Sequence, residues 1–350
     1  MKNNLKIQLI CTGNELLDGR VTNTNLPDIA SHLSSIGLHL SNCHIVSDVF
    51  QDLVSSIKTA SNIYDIIILT GGLGPTDDDR TTEAVCTALN ISNLKNKAAN
   101  NHLIKFFSER NKQMTASNLK QAFLPETSEI IHNPIGTAPG YILNVHSSKN
   151  NKIEKDTSLI SLPGVPIEMN MMMKETVLDF LKNSFKTRLT IPTKKTFSCY
   201  GIGESVIADE LEEIYPLPDD IDILYRATHP NVHVSITSKK DTSNFQSISS
   251  HVNEKLKNYI YSENGKSLEE TVVTKFINDK ITLSIAESCT GGLLSSSITS
   301  IPGSSSVLMQ SIVCYSNMSK VKTLNVYKSD IDIHGAVSEA VAIQLANNVK

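Results

Sequence analysis

The five residues Asp65 to Leu69 contain four branched or apolar side chains in a row. They lead directly into Thr70-Gly71-Gly72-Leu73-Gly74-Pro75-Thr76-Asp77-Asp78-Asp79. An unbroken apolar strand is covered on both faces, which marks a parallel sheet with helices on each side. The preceding residues agree. Leu5 to Cys11 reads as a strand, and Leu26, Ile29, Leu33 and Ile36 follow at helical spacing with Gly37 placed as a C-cap. Leu38 to Val46 reads as a second strand, and Leu53, Ile57 and Ala60 continue a second helical period. Strand, helix, strand, helix, strand predicts an α/β fold. Ligands of such sheets bind beyond the carboxyl ends of the strands.

Both conspicuous polar loops lie at those ends. One is Thr12-Gly13-Asn14-Glu15-Leu16-Leu17-Asp18-Gly19-Arg20, with Asn23 and Asn25 close behind; the other is the glycine-aspartate stretch. Glycines at a strand end let backbone N–H groups gather around an anion. Aspartates beside such a cradle would repel phosphate unless a cation lay between them. A hydrated Mg²⁺ takes carboxylates and phosphate oxygens together. The pattern therefore suggests a diphosphate carried with a divalent metal. A turn through Pro75 and an aspartate capping a helix near Arg80 would use the same residues, and that alternative stays open at this point.

The remaining features are plainer. The chain of 350 residues is 40% apolar with net charge -4, enough for two or three cores and without the basic footprint of a general nucleic-acid binder. Its six cysteines form no CxxC pair, so buried thiols in a reducing cytoplasm are expected. Neither a signal peptide at Met1 to Ile7 nor a membrane span is expected. Met169, Met171, Met172 and Met173 read as packing. Lys194 to Tyr200 and Val232 to Thr237 read as strands and Asn244 to Leu256 as a helix of a small α+β unit. Tyr261 to Lys266 reads as a linker. Ser267-Leu268-Glu269-Glu270 is a capping box opening a helix whose face would be Leu268, Val272, Phe276 and Ile277. Ile281 to Ala286 is a strand that turns through Glu287-Ser288-Cys289-Thr290-Gly291-Gly292.

Taken together, several of these motifs resemble the competence/damage-inducible CinA family in order and along essentially the whole chain. They are the two loops above, Gly136-Thr137-Ala138-Pro139-Gly140, Leu162-Pro163-Gly164-Val165-Pro166 with Glu168-Met169, and Gly201-Ile202-Gly203-Glu204-Ser205. Ala286 to Gly292, Gly303-Ser304-Ser305, Tyr315-Ser316-Asn317 with Lys320, and His334 to Glu339 extend the match. The resemblance implies a molybdopterin-binding-like domain over 1–175, a KH-like α+β domain over 176–262 and an α/β domain of the nicotinamide mononucleotide deamidase group over 267–350. It implies a cytoplasmic homodimer of pyridine-nucleotide salvage. Its first domain would hydrolyse ADP-ribose to AMP and ribose 5-phosphate with Mg²⁺ or Co²⁺, and its last would act on nicotinamide mononucleotide.

On this reading Gly71, Gly72 and Gly74 with Gly13 and Thr76 would cradle phosphate. Asn14, Asn23 and Asn25 would orient the nucleotide, and Arg20 would pair with a phosphate. Asp77 and Asp78 would hold the metal, with Asp78 and Glu15 acting on metal or water. Ser288, Tyr315 and Lys320 fall on the deamidase motif positions: nucleophile, proton relay or substrate contact, and base. From spacing alone Ser288 is also a capping serine, and Cys289 is a rival nucleophile. The family's last domain continues past the point where this chain stops, through a later glycine-rich loop, so an incomplete domain with about two strands and an exposed sheet edge is expected. The middle unit carries no GxxG, so nucleic-acid binding is not expected of it. The competing functions are a non-catalytic nucleotide- or molybdopterin-binding module and a scaffold in competence or DNA damage.

Overall fold

The computed structural model describes residues 5–147, 155–238 and 242–350; Met1 to Asn4, part of the leader reading, lie outside them. The chain forms two compact units, Met1–Pro192 and Thr193–Lys350.

The first unit is built on six strands: β1 Ile7–Thr12, β2 Asn42–Val46, β3 Ile66–Thr70, β6 Glu129–Ile131, β7 Gly140–Ser147 and β8 Lys155–Leu162, with β4 Asn93–Lys95 and β5 Phe123–Pro125 paired separately. Their order is β2-β1-β3-β8-β7-β6. The first four are mutually parallel and the last two pairs antiparallel. The parallel part is as expected, and β7 and β6 extend it into a mixed sheet. Alternation on β3 explains why it carries no polar residue before Thr70. Ile66 and Ile68 enter one core with Leu9, Ile29 and Leu33, while Ile67 and Leu69 enter a second with Ile10, Leu53 and Ile57. Met169, Met172 and Met173 are fully buried in the first core, which confirms them as packing.

Helix Asn25–Ser35 ends at Ile36, and Gly37 follows at φ 75°, the left-handed position a helix exit favours. The aspartates do not cap the helix Thr81–Leu89. Its N-cap is Arg80, with no side-chain cap bond.

In the second unit β9 Thr193–Tyr200, β10 Ile221–Thr228, β11 Asn231–Ser238 and β12 Ile260–Ser262 form an antiparallel sheet in the order β10-β11-β9-β12. The predicted linker is thus partly strand. Ile260 pairs with Cys199 and Ser262 with Ser198, and the Ser262 hydroxyl accepts the Lys266 N–H at 3.1 Å. Gly203 is the N-cap of the helix Glu204–Glu210. The capping box forms, with Ser267 Oγ accepting the Glu270 N–H at 3.1 Å. The helix it opens buries Val273, while Ile277 is exposed, so the inward face is shifted by a residue from the expected one. Two parallel strands, β13 Leu283–Glu287 and β14 Leu308–Val313, complete the unit. No helix among the described residues is long and apolar enough to cross a membrane.

Candidate functional site

In the first unit, the loops after β1, β3 and β8 converge on a cleft of about 440 Å³. Its wall includes Gly13, Gly71, Gly72, Gly74 and Gly164 and the carboxylates of Glu15, Asp48, Asp78, Asp79 and Glu168. Among the described residues, no lysine or arginine lines it. The turn is shaped by Gly71 and Gly72 at φ 108° and 65°. A side chain on Gly71 would sit 2.7 Å from the Thr12 carbonyl oxygen. Thr81 closes the turn, its N–H donating to Gly72 O and its hydroxyl to Gly71 O at 2.8 Å.

Several predicted residues hold this frame. The Gly71 N–H donates to Leu162 O at 3.0 Å, so this glycine shapes the turn rather than offering its amide to a ligand. Asn14 is paired with Asp48, its N–H donating to the carboxylate at 2.8 Å. Asn25 is buried and its Nδ2 donates to Thr70 Oγ1 and Gly164 O, both at 2.8 Å, joining the ends of β3 and β8. Asn23 accepts the Leu26 N–H and donates to Cys11 Sγ. Thr76 donates its N–H and hydroxyl to Asp79 at 2.9 and 2.5 Å. The nearby Thr76 side chain, whose single hydroxyl hydrogen can turn to either aspartate, and Asp78's own N–H hold the Asp78 carboxyl below its ordinary value.

Arg20 and Asp77 are not part of the cleft wall. Arg20 bonds Asp18 at 2.7 Å on an exposed loop, and that pairing holds the Asp18 carboxyl below its ordinary range. Asp48 and Glu168 are cleft residues that sequence reasoning missed. Asp48 sits after β2 with no motif of its own, and Glu168 is quoted in a family motif without being given a role. Glu168 accepts Asn133 Nδ2 at 2.7 Å.

No group of three or more His, Cys, Asp or Glu among the described residues is arranged to hold a metal alone. Two accessible carboxylates, Glu15 and Asp78, with glycine backbone opposite, suit a hydrated divalent ion that completes its shell with phosphate oxygens. Asp48, Asp79 and Glu168 are committed to loop hydrogen bonds.

A second constellation lies in the other unit. Helix Asn317–Leu324, capped by Ser316 Oγ, carries Lys320 to the carboxyl end of β13. Lys320 is 1% exposed, and its Nζ stands 3.0 Å from Ser288 Oγ and 2.9 Å from each of the Cys314 and Tyr315 carbonyl oxygens. A buried ammonium usually has a carboxylate beside it; these three hydrogen-bond partners are all uncharged. Tyr315 thus supplies its backbone, while its side chain is exposed.

Beside Ser288, the Glu287 side chain is buried and accepts the N–H groups of Gly292, Leu294 and Ser295 at 3.0, 3.1 and 2.8 Å, and the Ser295 hydroxyl. Burial alone would raise its pKa. The hydrogen bonds from Ser295, Thr290 and Leu294 outweigh that and bring it to about 2. Cys289 is exposed.

Residues 8–183 match the model of a probable molybdopterin binding domain, 194–262 that of the damage-inducible protein CinA KH domain, and 265–350 that of the CinA C-terminal domain. A CinA-like protein of Shewanella sp. (strain ANA-3) is 35% identical over 348 residues, 99% of this chain and 79% of the relative. The chain belongs to the CinA family.

A CinA-family relative of Shewanella oneidensis, named nicotinamide-nucleotide amidohydrolase PncC, is 34% identical over 348 residues, 99% of this chain and 80% of its own. Among solved structures, the CinA of unknown function from Thermoplasma acidophilum is 31% identical with a TM-score of 0.43, covering 50% of this chain and 98% of that one.

Proposed function

We propose that this CinA-family chain is a hydrolase of pyridine-nucleotide salvage whose Ser288–Lys320 pair hydrolyses the carboxamide of a nicotinamide nucleotide. The observation that carries the reading is the 3.0 Å approach of Lys320 Nζ to Ser288 Oγ, within reach for proton transfer. The relative named as an amidohydrolase supports the substrate class.

Acting as the base, Lys320 is aimed at the serine hydroxyl by its bonds to the Cys314 and Tyr315 carbonyls. Ser288 Oγ attacks the amide carbon and passes its proton to Nζ. That proton leaves with the amide nitrogen as ammonia, giving an acyl-serine. Water then adds with Lys320 again taking a proton, and the carboxylate is released while Ser288 recovers its hydrogen. The Cys289 N–H has no hydrogen-bond partner among the described residues and suits the developing oxyanion. Ser288 outranks Cys289 as nucleophile because Lys320 bonds the serine.

A second reading is favoured by the cleft after β3. Five carboxylates share the cleft wall with a glycine turn and, among the described residues, no lysine or arginine, which fits a diphosphate bound with a divalent ion. Metal-dependent hydrolysis of ADP-ribose to AMP and ribose 5-phosphate is the corresponding activity. Glu15 and Asp78 would hold Mg²⁺ or Co²⁺, which when bound would neutralise charge on the diphosphate. A homodimer belongs to the same proposal.

The test is incubation of the 350-residue chain with nicotinamide mononucleotide, and separately with ADP-ribose, with divalent metal and with chelator. Ammonia from the mononucleotide, lost in Ser288→Ala, supports the amidase. Its absence from the folded wild-type chain overturns it. AMP formed only with metal supports the second reading, and AMP formed equally in chelator overturns its metal requirement.

A further inference from the structure

The hydrolysis above makes no use of Glu287, a carboxylate 3% exposed on the residue just before the nucleophile. Its main chain is already tied to the site. The Glu287 carbonyl accepts the Cys314 N–H at 2.8 Å and the Cys314 thiol at 3.4 Å. The Cys314 carbonyl in turn accepts Lys320 Nζ, which reaches Ser288 Oγ. Glu287, Ser288, Lys320 and Cys314 thus close a ring through a peptide bond and hydrogen bonds. That ring fixes where the serine enters the site. It leaves open the shape of the turn that follows.

The turn is Ser288-Cys289-Thr290-Gly291-Gly292, with Gly291 and Gly292 at φ 61° and 104°. Adjacent glycines give a chain wide freedom, so its shape has to come from elsewhere. The Glu287 side chain supplies it. One carboxylate oxygen accepts the Gly292 and Leu294 N–H groups at 3.0 and 3.1 Å. The other accepts the Ser295 N–H at 2.8 Å and the Ser295 hydroxyl. These donors keep the carboxylate ionised at neutral pH. None of these bonds runs to Lys320 or takes the Cys289 N–H, so the base and the oxyanion donor stay free for the reaction.

Resting on the amidase reading of the Ser288–Lys320 pair, we propose that Glu287 is a positioning residue for the nucleophile's turn. Its carboxylate clamps the stretch from Gly292 to Ser295. Ser288 Oγ is thereby kept against Lys320 Nζ, with the Cys289 N–H open to the reacting carbonyl. A displacement of about 1 Å at such a pair costs roughly a hundredfold in rate. The acceptors that remain rank the variants. Glu287→Ala removes both oxygens. Glu287→Gln keeps one and sets an NH₂ group against a backbone N–H, donor facing donor.

The test uses the full chain and two readouts. One is ammonia release from nicotinamide mononucleotide, resolved into kcat and KM. The other needs no amide substrate: the rate at which a fluorophosphonate labels Ser288, followed across pH and located by peptide mass. In that step Ser288 Oγ displaces fluoride from phosphorus and its proton passes to Lys320. Glu287→Ala is expected to lower kcat about a hundredfold with KM unchanged, and Glu287→Gln to fall between it and wild type. The labelling rate should drop in the same order, with its pH midpoint unmoved because Lys320 is still the base. Val273→Ala, in the core of the same unit and 1% exposed, should lower the urea midpoint and leave kcat and labelling as in wild type. Wild-type rates in the folded Glu287 variants overturn the role. So does a moved pH midpoint, which would make Glu287 an electrostatic partner of the base. Activity lost by Val273→Ala in step with its midpoint also overturns it, because destabilisation alone would then explain the effect. Where Glu287→Ala fails to fold, Glu287→Gln decides. A wild-type chain labelled at Ser288 that releases no ammonia sinks the amide reading, and the labelling rates of the variants still decide Glu287. A wild-type chain neither labelled nor active sinks both.

Discussion

Lys320 Nζ is held 3.0 Å from Ser288 Oγ by two backbone carbonyls, those of Cys314 and Tyr315, which lie on the chain between β14 and its own helix. The base is thus aimed by main chain that its own helix follows directly. Neither a mobile side chain nor a carboxylate partner is needed to set its direction.

Lys320→Met should lower amide hydrolysis by about 10²–10⁴-fold, the usual worth of a positioned acid–base group. It should also cost on the order of 1–3 kcal/mol of stability, because the two carbonyls lose their donor. Ser288→Ala should be as inactive with less effect on folding, and Cys289→Ser should stay active. Full activity in Ser288→Ala would transfer the nucleophile's role elsewhere. Release of ammonia and a denaturant midpoint measure both effects.

Glu287 gives a pH signature. Its folded pKa of about 2 lies below the ordinary 4.5, so its stabilisation is fully present above 4.5 and lost as pH falls from there towards 2. Glu287→Gln should therefore cost on the order of 2 kcal/mol at pH 7, the scale of hydrogen bonds to a charged acceptor. The gap from wild type should narrow below pH 4.5. Urea midpoints at pH 7 and pH 4 measure it, and a gap that widens at pH 4 would contradict the assignment.

Asp78→Asn or Glu15→Gln should reduce metal-dependent ADP-ribose hydrolysis about a hundredfold, comparable to loss of one electrostatic contact at a developing charge. Asp77→Asn, outside the cleft wall, should change it little. Comparable losses at all three positions would argue for a general charge effect, read from initial rates across metal concentrations.

Gly71→Ala should destabilise the first unit by about 2 kcal/mol or more. Its φ of 108° is unfavourable for any side chain, and a Cβ meets the Thr12 carbonyl at 2.7 Å, which is backbone and cannot swing away. Gly74→Ala should cost less, since the added atom meets the Asp79 carboxylate, the movable end of a side chain. Thermal midpoints rank the two.

The parallel core was legible because β3 must satisfy two apolar faces, and nothing but Ile and Leu does so over four residues. Ser288 and Lys320 were legible through their family motifs, and the structure places them together. The roles of the asparagines were not legible. Asn14 and Asn25 could equally face a ligand or tie loops, and only their partners at Asp48, Thr70 and Gly164 decide that. Asp48 was invisible because it reaches the cleft from an unremarkable stretch, and its place there comes from long-range contacts with Thr12 and Asn14. The linker reading of Tyr261 to Lys266 failed at Tyr261 and Ser262, because a three-residue strand is too short to show alternation.

The parallel pair β13 and β14 has a practical consequence. On β14, Met309 and Val313 are exposed, as are Leu293 and Leu294 on the helix that follows β13. Such a greasy, open ribbon makes the chain's colloidal behaviour depend on how much of it is in the tube. Dilute, mildly salted solutions should keep it clear, and concentrated stocks should scatter light well before the fold itself gives way.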